Sequence, residues 1–585
     1  YTAWDITSPA FLKEASTGVI LCIPTAFCSY TGEALDKKTP LLRSMEAVSK
    51  QALRIVRLFG NTTATKVTAS VGPEQEYFLV DENLYKKRSD LMFAGRTLFG
   101  APAPKGQEME DHYFGVIRER VGAYMKDLNE ELWKLGVYAK TEHKEVAPCQ
   151  FELAPVFTST NIANDQNQLT MEVLQKVASH HGLVCLLHEK PFDGVNGSGK
   201  HNNWSFCTEE GENILEPGDS PKDNIRFLTV LAAIIKGVDE YQDLLRISVA
   251  SAGNDHRLGA DEAPPAIISI YLGEELTAIL EAIEAGNEYV DTIDRKLELG
   301  VSTLPPIAKD STDRNRTSPF AFTGNRFEFR AVGSIANCAS AMIVLNTAVA
   351  EVLTKFKERV DALMEKGEAK LTAILEVLRE DIKTCKPIHF DGNGYSDEWK
   401  EEAQKRGLDC EASCPVVFDR YLDKESIEMF AKTNVMSESE LKARNEVKWE
   451  TYTKKIQIEA RVMGDLSMNH IIPVATHYQS RLAKNVEGMI HIFGGEEGKK
   501  LTARNVKIIR EIAERTESIE RGVEALVDAR KVANKIESER EKAVAYHDTV
   551  APKMEEIRYQ IDKLELLVAD ELWTLPKYRE LLFIR

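Results

Sequence analysis

Residues 196–205 read Asn196-Gly197-Ser198-Gly199-Lys200-His201-Asn202-Asn203-Trp204-Ser205. A glycine-rich turn leads directly into a histidine and then into alternating polar and apolar residues, and this alternation predicts a strand. A P-loop is the competing interpretation. However, the position where a P-loop carries its magnesium-binding hydroxyl is His201 here, and a P-loop must open a helix rather than a strand. The stretch therefore favours a phosphate and metal site carried on a strand.

The composition is that of an ordinary globular chain. The 585 residues are 43% hydrophobic and 28% charged, and the formal net charge is -18. No apolar run approaches the roughly 18 residues of a membrane helix, and the acidic balance argues against nucleic-acid binding, which needs clustered basic residues. Nine cysteines without Cys-x-x-Cys pairs predict a reducing compartment and no zinc site. We therefore expect a cytoplasmic protein with neither a membrane nor a nucleic-acid partner.

The pattern along the chain divides it into three regions. Residues 1–70 predict mostly helix and end in a strand that begins near Val67. From about 71 to 335, short alternating runs with glycine and proline predict a mixture of strands and helices. After residue 337, helix prevails almost to the end.

Apolar residues recur at heptad spacing in two segments of the last hundred residues. They lie within 509–526 and within 554–568, on either side of Pro552. The spacing predicts two long antiparallel helices, which form either an intramolecular hairpin or a subunit contact.

Two pairs of glutamates lie on predicted strands. Glu74 and Glu76 share one strand face, where a buried pair must bind a cation or a proton. Glu145 and Glu152 have an odd spacing that places them on opposite faces of a regular strand. Their joint action therefore requires a bulge or a turn, which Pro148 would explain. Each pair alone is equally compatible with a solvated surface.

The segment Arg326-Phe327-Glu328-Phe329-Arg330 has period-two alternation, which places its three charged side chains on one face. Such a face either holds a metal at the carboxylate and anions at the guanidinium groups, or forms a surface ladder of ion pairs. Upstream, Arg314 and Arg316 predict either further anion binding or a solvated turn.

Residues 254–265 are a loop by composition, and they carry Arg257 and Glu262 five residues apart. Glu262 precedes Ala-Pro-Pro, which restricts the backbone. The loop is either a lid over a substrate or an ordinary exposed loop. Together, these segments supply five or more carboxylates, one imidazole and several arginines. This donor set suits magnesium or manganese, and two such ions would support phosphoryl transfer.

Taken together, the motifs resemble glutamine synthetase, and the long chain with its helical C-terminal part is most similar to the type III branch. The matching segments, in the family's order, are 72–76, 145–152, 190–201, 257–264 and 316–330. The resemblance implies an α+β catalytic domain over residues 1–480, built on an antiparallel β-sheet flanked by helices, and a C-terminal helical hairpin over residues 481–585. It also implies that the family's N-terminal β-domain, with its ammonium-site aspartate, lies before Tyr1.

The resemblance implies an ATP-dependent ligase that joins ammonia to the γ-carboxylate of L-glutamate through a γ-glutamyl phosphate. The implied cofactors are two or more Mg²⁺ or Mn²⁺ ions, and the implied assembly is a double-ring dodecamer with shared active sites. The implied catalytic residues are Glu262, Arg257 and Arg316. Glutamate would contact Asn196, Gly197, Arg257 and Arg330. The nucleotide would contact Asn203, Ser205, Arg316 and Arg326. One metal would be held by Glu76, Glu145 and Glu152, and the other by Glu74, His201 and Glu328.

One departure from the family pattern concerns a phosphate contact. Where the bacterial type I pattern carries a further arginine, this chain has Ala321, so that contact is absent or comes from elsewhere, for example from Arg314. Two other functions stay open at this stage: a γ-glutamyl ligase that uses an amine, and a scaffold that has lost catalysis.

Overall fold

The computed structural model describes residues 1–140, 142–261, 263–290, 296–297, 307–308 and 317–584. The strands are β1 Thr2–Trp4, β2 Phe11–Ala15, β3 Gly18–Cys22, β4 Thr25–Phe27, β5 Val67–Asp81, β6 His143–Lys144, β7 Gln150–Leu153, β8 Thr158–Ser159, β9 Leu183–Leu186, β10 Lys200–Thr208, β11 Ile270–Tyr271, β12 Lys296–Leu297, β13 Ile307–Ala308, β14 Phe320–Phe322 and β15 Phe327–Phe329.

The helices are α1 Lys38–Leu58, α2 Glu82–Tyr85, α3 Ser89–Ala94, α4 Glu119–Lys134, α5 Thr160–His180, α6 Ile225–Glu240, α7 Gln242–Val249, α8 Ala252–Arg257, α9 Glu274–Ala285, α10 Ala339–Glu365, α11 Lys370–Thr384, α12 Asp397–Arg406, α13 Cys414–Val417, α14 Lys424–Lys432, α15 Glu438–Leu466, α16 Ile472–Phe493, α17 Gly495–Ala533, α18 Glu539–Ala545, α19 Ala551–Leu567 and α20 Tyr578–Leu581.

A nine-stranded sheet forms the centre of the fold. Its order is β11-β14-β15-β10-β5-β7-β6, and β8 and β9 also pair with β5. The β11–β14 pair is parallel, whereas the strand pairs around β5, β10 and β15 are antiparallel. The predicted α+β class, with a largely antiparallel sheet flanked by helices and a long helical C-terminal region, is therefore confirmed.

The main hydrophobic core lies between one face of this sheet and helices α1, α6 and α10. Alternation along the strands brings the apolar side chains to this face, where Trp204, Phe327 and Phe329 are fully buried. The opposite face of the same strands is left for polar residues.

Helix α10 packs in the middle of this core. Among the described residues, it is the one helix that is long and apolar enough to cross a membrane. However, 83% of its most apolar stretch is buried inside the protein. An apolar helix surrounded by other elements is the expected centre of a large core.

The prediction of mostly helix over residues 1–70 is wrong for the first part of that region. Strands β1 and β4 pair with each other, and β2 and β3 form a hairpin in which Ala15 lies opposite Gly18. Gly18 has a φ of 126°, which a residue with a side chain rarely adopts. Apolar residues such as Val19, Ile20 and Leu21 favour strand at this length. In the later part of this region, α1 agrees with the predicted helix, and β5 confirms the predicted strand from near Val67.

The C-terminal helices fold back on one another. The amide of Gln479 in α16 donates to the carbonyl of Ile509 in α17, and Arg515 of α17 donates to Gln560 of α19. The heptad-spaced residues of α17 and α19 are largely buried, including Ile519 and Ile561. The predicted pairing of two long helices is therefore present within the chain. The domain division near residue 480 stays a proposal, and α16 runs across that position.

A buried ion pair attaches α15 to the segment that follows α3. Arg96, just after α3, donates to Glu459 through Nε at 3.0 Å and Nη2 at 2.9 Å. Both side chains are buried. Burial opposes ionisation of Glu459, but the charge of Arg96 outweighs it and lowers the pKa of Glu459.

We expect Glu459→Ala to lower the free energy of unfolding by about 3–5 kcal/mol, because the substitution leaves the Arg96 guanidinium buried without its counter-charge. Urea unfolding followed by circular dichroism measures the change. The double variant Arg96→Met/Glu459→Met removes both charges and should regain most of the loss. Equal loss in the single and double variants would contradict this explanation.

Candidate active site

The register of three adjacent strands brings the predicted ligands to one face of the sheet. His201 of β10 lies directly opposite Glu74 of β5, and Asn203 lies opposite Glu328 of β15. On the other side of β5, Glu76 lies opposite Glu152 of β7. Directly opposed residues in antiparallel strands point to the same face, so four glutamates and one histidine converge.

Glu145 reaches this face through a turn. Strands β6 and β7 form a hairpin in which His143 lies opposite Glu152, and the Glu145 N–H donates to the carbonyl of Gln150 at 3.0 Å. Cys149, in the turn, has a φ of 60°, an uncommon conformation for a residue with a side chain. The turn reverses the chain, so the odd spacing no longer separates Glu145 from Glu152. Glu145 and Glu152 can therefore act together, because the turn that their odd spacing requires is present.

The side chains form two groups of three. The potential ligand atoms of Glu74, His201 and Glu328 lie within 4.8 Å of one another, and so do those of Glu76, Glu145 and Glu152. These are the two sets that the family resemblance implies. Both sets line one cavity of about 200 Å³.

His201 connects the two groups. Its Nδ1 lies 3.0 Å from Glu328 Oε1 and 3.3 Å from Glu74 Oε2, and its Nε2 lies 3.4 Å from Glu76 Oε1. Burial disfavours the charged ring, but the hydrogen bonds with Glu328 and Glu74 outweigh it and raise the pKa of His201 well above its usual value.

The pKa values of two carboxyl groups in the cavity, those of Glu152 and Glu328, shift in opposite directions. Burial, together with the charges of Glu74 and Glu76, raises the pKa of Glu152 to about 8. Burial also opposes ionisation of Glu328, but its hydrogen bond with His201 and the charge of Arg330 hold the pKa of Glu328 well below its usual range. Protons therefore partly offset the negative charge of this cavity.

The side chains of the two groups suit divalent cations that prefer oxygen ligands. Five carboxylates and one imidazole are what Mg²⁺ and Mn²⁺ accept, whereas zinc sites favour thiolates and several imidazoles. The raised pKa values of Glu152 and His201 are the physical sign that this cluster lacks positive charge.

Metal binding should therefore displace protons. The raised pKa values of Glu152 and His201 favour bound protons, and metal ligands must be deprotonated, so filling the two groups at pH 7 should release about two protons per chain. The apparent affinity for Mn²⁺ should rise with pH through the region around pH 8, the pKa of Glu152, since protons compete for the ligands below the raised pKa values. Calorimetry at pH 7 in two buffers of different ionisation enthalpy measures the release. A buffer-independent enthalpy would contradict this prediction.

The glycine-rich turn leaves room for Arg257. A Cβ atom on Gly197 would collide with the carbonyl oxygen of Glu189, and one on Gly199 would collide with the Arg257 guanidinium. Arg257 ends α8 and is buried, and its Nη2 donates to the carbonyl of Arg330 at 3.0 Å. The Gly199 N–H donates to Glu76 at 2.6 Å. The turn thus orients one carboxylate directly.

The residues predicted to contact glutamate all line the cavity: Asn196, Gly197, Arg257 and Arg330. Arg330 donates from Nη2 to Glu328 at 3.1 Å. The amide of Asn196 accepts from Gln107 at 2.9 Å. A guanidinium group at the wall of an acidic cavity gives it one position where a substrate carboxylate is favoured.

The residues predicted to contact the nucleotide lie along the same sheet face. Arg326 donates through Nε to Asn203 at 3.0 Å, and Asn203 donates to Glu74 at 2.8 Å. Ser205 lies further along β10 and donates to Asn213 at 2.8 Å. These three residues therefore extend outward from the Glu74 group.

Three predicted residues, Glu262, Arg314 and Arg316, lie outside the described residues, so their roles stay predictions. The residues next to Glu262, Ala263 and Pro264, line the cavity. Ala321 is fully buried in β14, opposite Glu328.

Sequence reasoning missed three side chains at the cavity: Tyr113, His143 and Gln150. Gln150 donates to the carbonyl of Gly197 at 3.0 Å and so attaches β7 to the glycine turn. The sequence contained a signal for His143, since period two along a strand would place it on the same face as Glu145, two residues later. Tyr113 comes from a loop without periodicity and gave no such signal.

A largely antiparallel sheet that presents two acidic groups to one cavity is the arrangement by which enzymes hold paired divalent cations. Three family models match the chain: glutamine synthetase type III N terminal over residues 1–44, glutamine synthetase catalytic domain over 53–269, and glutamine synthetase C-terminal domain over 373–490.

Individual relatives agree with these matches. The sequence is 52% identical to a glutamine synthetase of Bacteroides fragilis over 588 residues, which covers 100% of this chain and 80% of that protein. It is 45% identical over 585 residues to a type-3 glutamine synthetase of Dictyostelium discoideum, with 100% and 80% covered. A glutamine synthetase of Thermotoga maritima is 29% identical over 187 residues, with 32% and 38% covered. The chain belongs to the glutamine synthetase family, in its type III branch.

Proposed function

We propose that this chain catalyses the ATP-dependent ligation of ammonia to the γ-carboxylate of L-glutamate, giving L-glutamine, ADP and phosphate. The observation that carries the proposal is the meeting of six ligand side chains as two groups of three in one cavity, with Arg330 beside them. The relatives named glutamine synthetase support it over the full length of the chain.

The chemistry explains why such a cavity is needed. A carboxylate is a poor electrophile until one of its oxygens becomes a phosphate leaving group, so the γ-carboxylate is first converted to a γ-glutamyl phosphate that ammonia then attacks. Bound Mg²⁺ or Mn²⁺ supplies positive charge that offsets the crowded phosphates and carboxylates. Glu76, Glu145 and Glu152 would hold the ion nearer to glutamate. Glu74, His201 and Glu328 would hold the ion nearer to the γ-phosphate.

The other residues position the substrates. Arg330 and Arg257 would favour the carboxylates of glutamate, and Asn196 and Gly197 would bind its amino end and backbone atoms. Asn203, Ser205 and Arg326 would lie along the nucleotide. A preorganised set of such donors stabilises developing charge without rearrangement during the reaction.

Glu262 is proposed as the carboxylate that takes a proton from ammonium, and Arg316 as a phosphate contact. Support for Glu262 comes from its neighbours Ala263 and Pro264 at the cavity wall. A lid at this position would exclude water, which would otherwise hydrolyse the acyl phosphate.

We also propose a homo-oligomer, a double-ring dodecamer with shared active sites, in the cytoplasm. The support for association lies in the N-terminal strands and the loops beside them, where large apolar side chains are exposed: Trp4 at 73%, Ile6 at 86% and Tyr30 at 90%. Several large apolar side chains exposed in one short stretch of chain favour a protein contact there.

Phosphate release from ATP tests the proposed reaction. With Mg²⁺ or Mn²⁺ present, we expect release that needs both L-glutamate and ammonium and forms glutamine in equal amount. The same assay with alkylamines or polyamines in place of ammonium is the comparison. Release that needs an amine instead of ammonium, or the absence of release with any acceptor from the full-length protein, would contradict the proposal.

A further inference from the structure

A second cavity, separate from the catalytic one, lies between the start of α1, the start of α8 and the middle of α15. Its volume is about 490 Å³, and it shares no lining residue with the catalytic cavity. This volume falls in the range that holds small organic ligands.

Four cationic side chains line this basic cavity: Lys37, Arg444, Lys448 and Lys455. None of the four forms an ion pair with a carboxylate in the part of the chain that the structure describes. Lys37 donates to the Ser340 hydroxyl at 2.7 Å, and Lys448 donates to the Ile247 carbonyl at 3.2 Å. Such a cluster is unusual in a chain whose net charge is -18.

The remaining two cations also form no direct ion pair in that part of the chain, although the charges of Glu440 and Asp36 act on Arg444 and those of Glu189 and Glu459 act on Lys455 at longer range. Arg444 donates through Nη2 to the carbonyls of Ala34 and Asp36, at 3.1 and 2.6 Å, and its buried Nε has no partner among the described residues. Lys455 has neither a hydrogen bond nor an ion pair within the same described ranges. Buried cations are normally paired with an anion. The unused donor groups of Arg444 and Lys455 could therefore bind an anion that enters the cavity.

The two carboxylates at the cavity wall, Asp36 and Glu440, form their direct contacts with other groups, although their charges partly oppose the lowering of the Arg444 pKa by burial. Asp36 accepts hydrogen bonds from the N–H groups of Phe27 and Thr39. Glu440 pairs with Arg43 at 3.2 Å and accepts from the Ala34 N–H. Both carboxylates are therefore committed to organising the chain before α1 and α15.

The titration behaviour agrees with an excess of positive charge. Burial and the neighbouring charge of Lys37 lower the pKa of Lys448 to about 8, and burial together with Arg444 lowers the pKa of Lys37. An anion placed among these groups would relieve both effects.

Most of the remaining wall surface is apolar, although polar side chains such as Ser251 and Asn337 also line it. Phe418 and Tyr452 are buried there, and Lys448 lies 5.1 Å above the Phe418 ring. Ile343 of α10 and Val447 of α15 also line the cavity. A ligand that fills this space must therefore combine separated negative charges with an apolar body.

We propose that this basic cavity binds a small organic anion that carries at least two carboxylate or phosphate groups on a largely apolar body. The proposal does not depend on the catalytic assignment, because the two cavities share no lining residue.

Binding of three probes to the full chain tests the proposal. Citrate, phthalate and pyrophosphate are titrated at millimolar concentrations by calorimetry in metal-free buffer, so that neither chelation nor a metal-bound active site contributes. We expect at least one probe to bind. Preference for phthalate over citrate would identify an aromatic carboxylate, and preference for pyrophosphate would identify a phosphate ligand. Lack of binding by all three would overturn the proposal.

Variants locate the binding. Lys448→Met and Lys455→Met should each weaken binding by about tenfold or more, since each removes one charge that faces the anion. Lys454→Met is the matched control, because Lys454 is exposed on the same helix and pairs with Glu450. Lys455→Met keeps the test valid if the more buried Lys448→Met fails to fold. Unchanged affinity in a folded Lys455→Met or Lys448→Met protein would overturn the assignment.

Discussion

In the Glu328→Gln variant, phosphate release from ATP is expected to fall about 10³-fold while the fold is kept. Glu328 belongs to the proposed γ-phosphate group, and it also contacts His201 at 3.0 Å and Arg330 at 3.1 Å. The amide keeps the size and one hydrogen-bond acceptor, but it removes the charge that holds a cation and orients Arg330.

The measurement is phosphate release under saturating ATP, glutamate and ammonium, with circular dichroism as the check on folding. Glu450→Gln is the control, because Glu450 is an exposed glutamate paired with Lys454 on α15. Turnover like that of the unchanged protein in Glu328→Gln would count against the assignment of this cavity as the active site.

A second large effect is expected for Glu152→Gln, which should lower turnover about 10²-fold or more. Glu152 belongs to the other group of three, with Glu76 and Glu145. Since the two groups use different side chains, this variant should lose one manganese ion and keep the ion held by Glu74, His201 and Glu328.

Electron paramagnetic resonance titration with Mn²⁺ separates the two sites. The unchanged protein should bind two ions per chain, one for each group, and Glu152→Gln should bind one. The variant should also release about one proton fewer on metal binding, because the group with a pKa of about 8 is gone. Glu130→Gln, at an exposed position of α4, is the control. Retention of both ions in Glu152→Gln would show that Glu152 is not a ligand.

Much of the site could be predicted because its residues follow period two on strands. Glu74 and Glu76 share a face for that reason, and the alternation around Glu328 placed its two arginines beside it. Strand register could not be predicted from one segment, but once β10 pairs with β5, His201 falls opposite Glu74. A single pairing therefore brings distant motifs together.

Other features depend on contacts that no local pattern encodes. The turn before Gln150, which unites Glu145 with Glu152, depends on a positive φ at Cys149. The strands before α1 were predicted as helix, because short hairpins carry weak periodicity. The basic cavity collects Lys37 and Lys448 from segments about four hundred positions apart, and neither residue stands out in the sequence.

The most direct test of the central claim is an anomalous-diffraction map, at the manganese edge, of crystals of the full-length protein grown with Mn²⁺ and a non-hydrolysable ATP analogue. The account predicts two strong peaks per chain in the catalytic cavity, one within ligand distance of Glu74, His201 and Glu328 and the other within ligand distance of Glu76, Glu145 and Glu152. A map with no peak in this cavity, or with manganese bound by other residues, would contradict it.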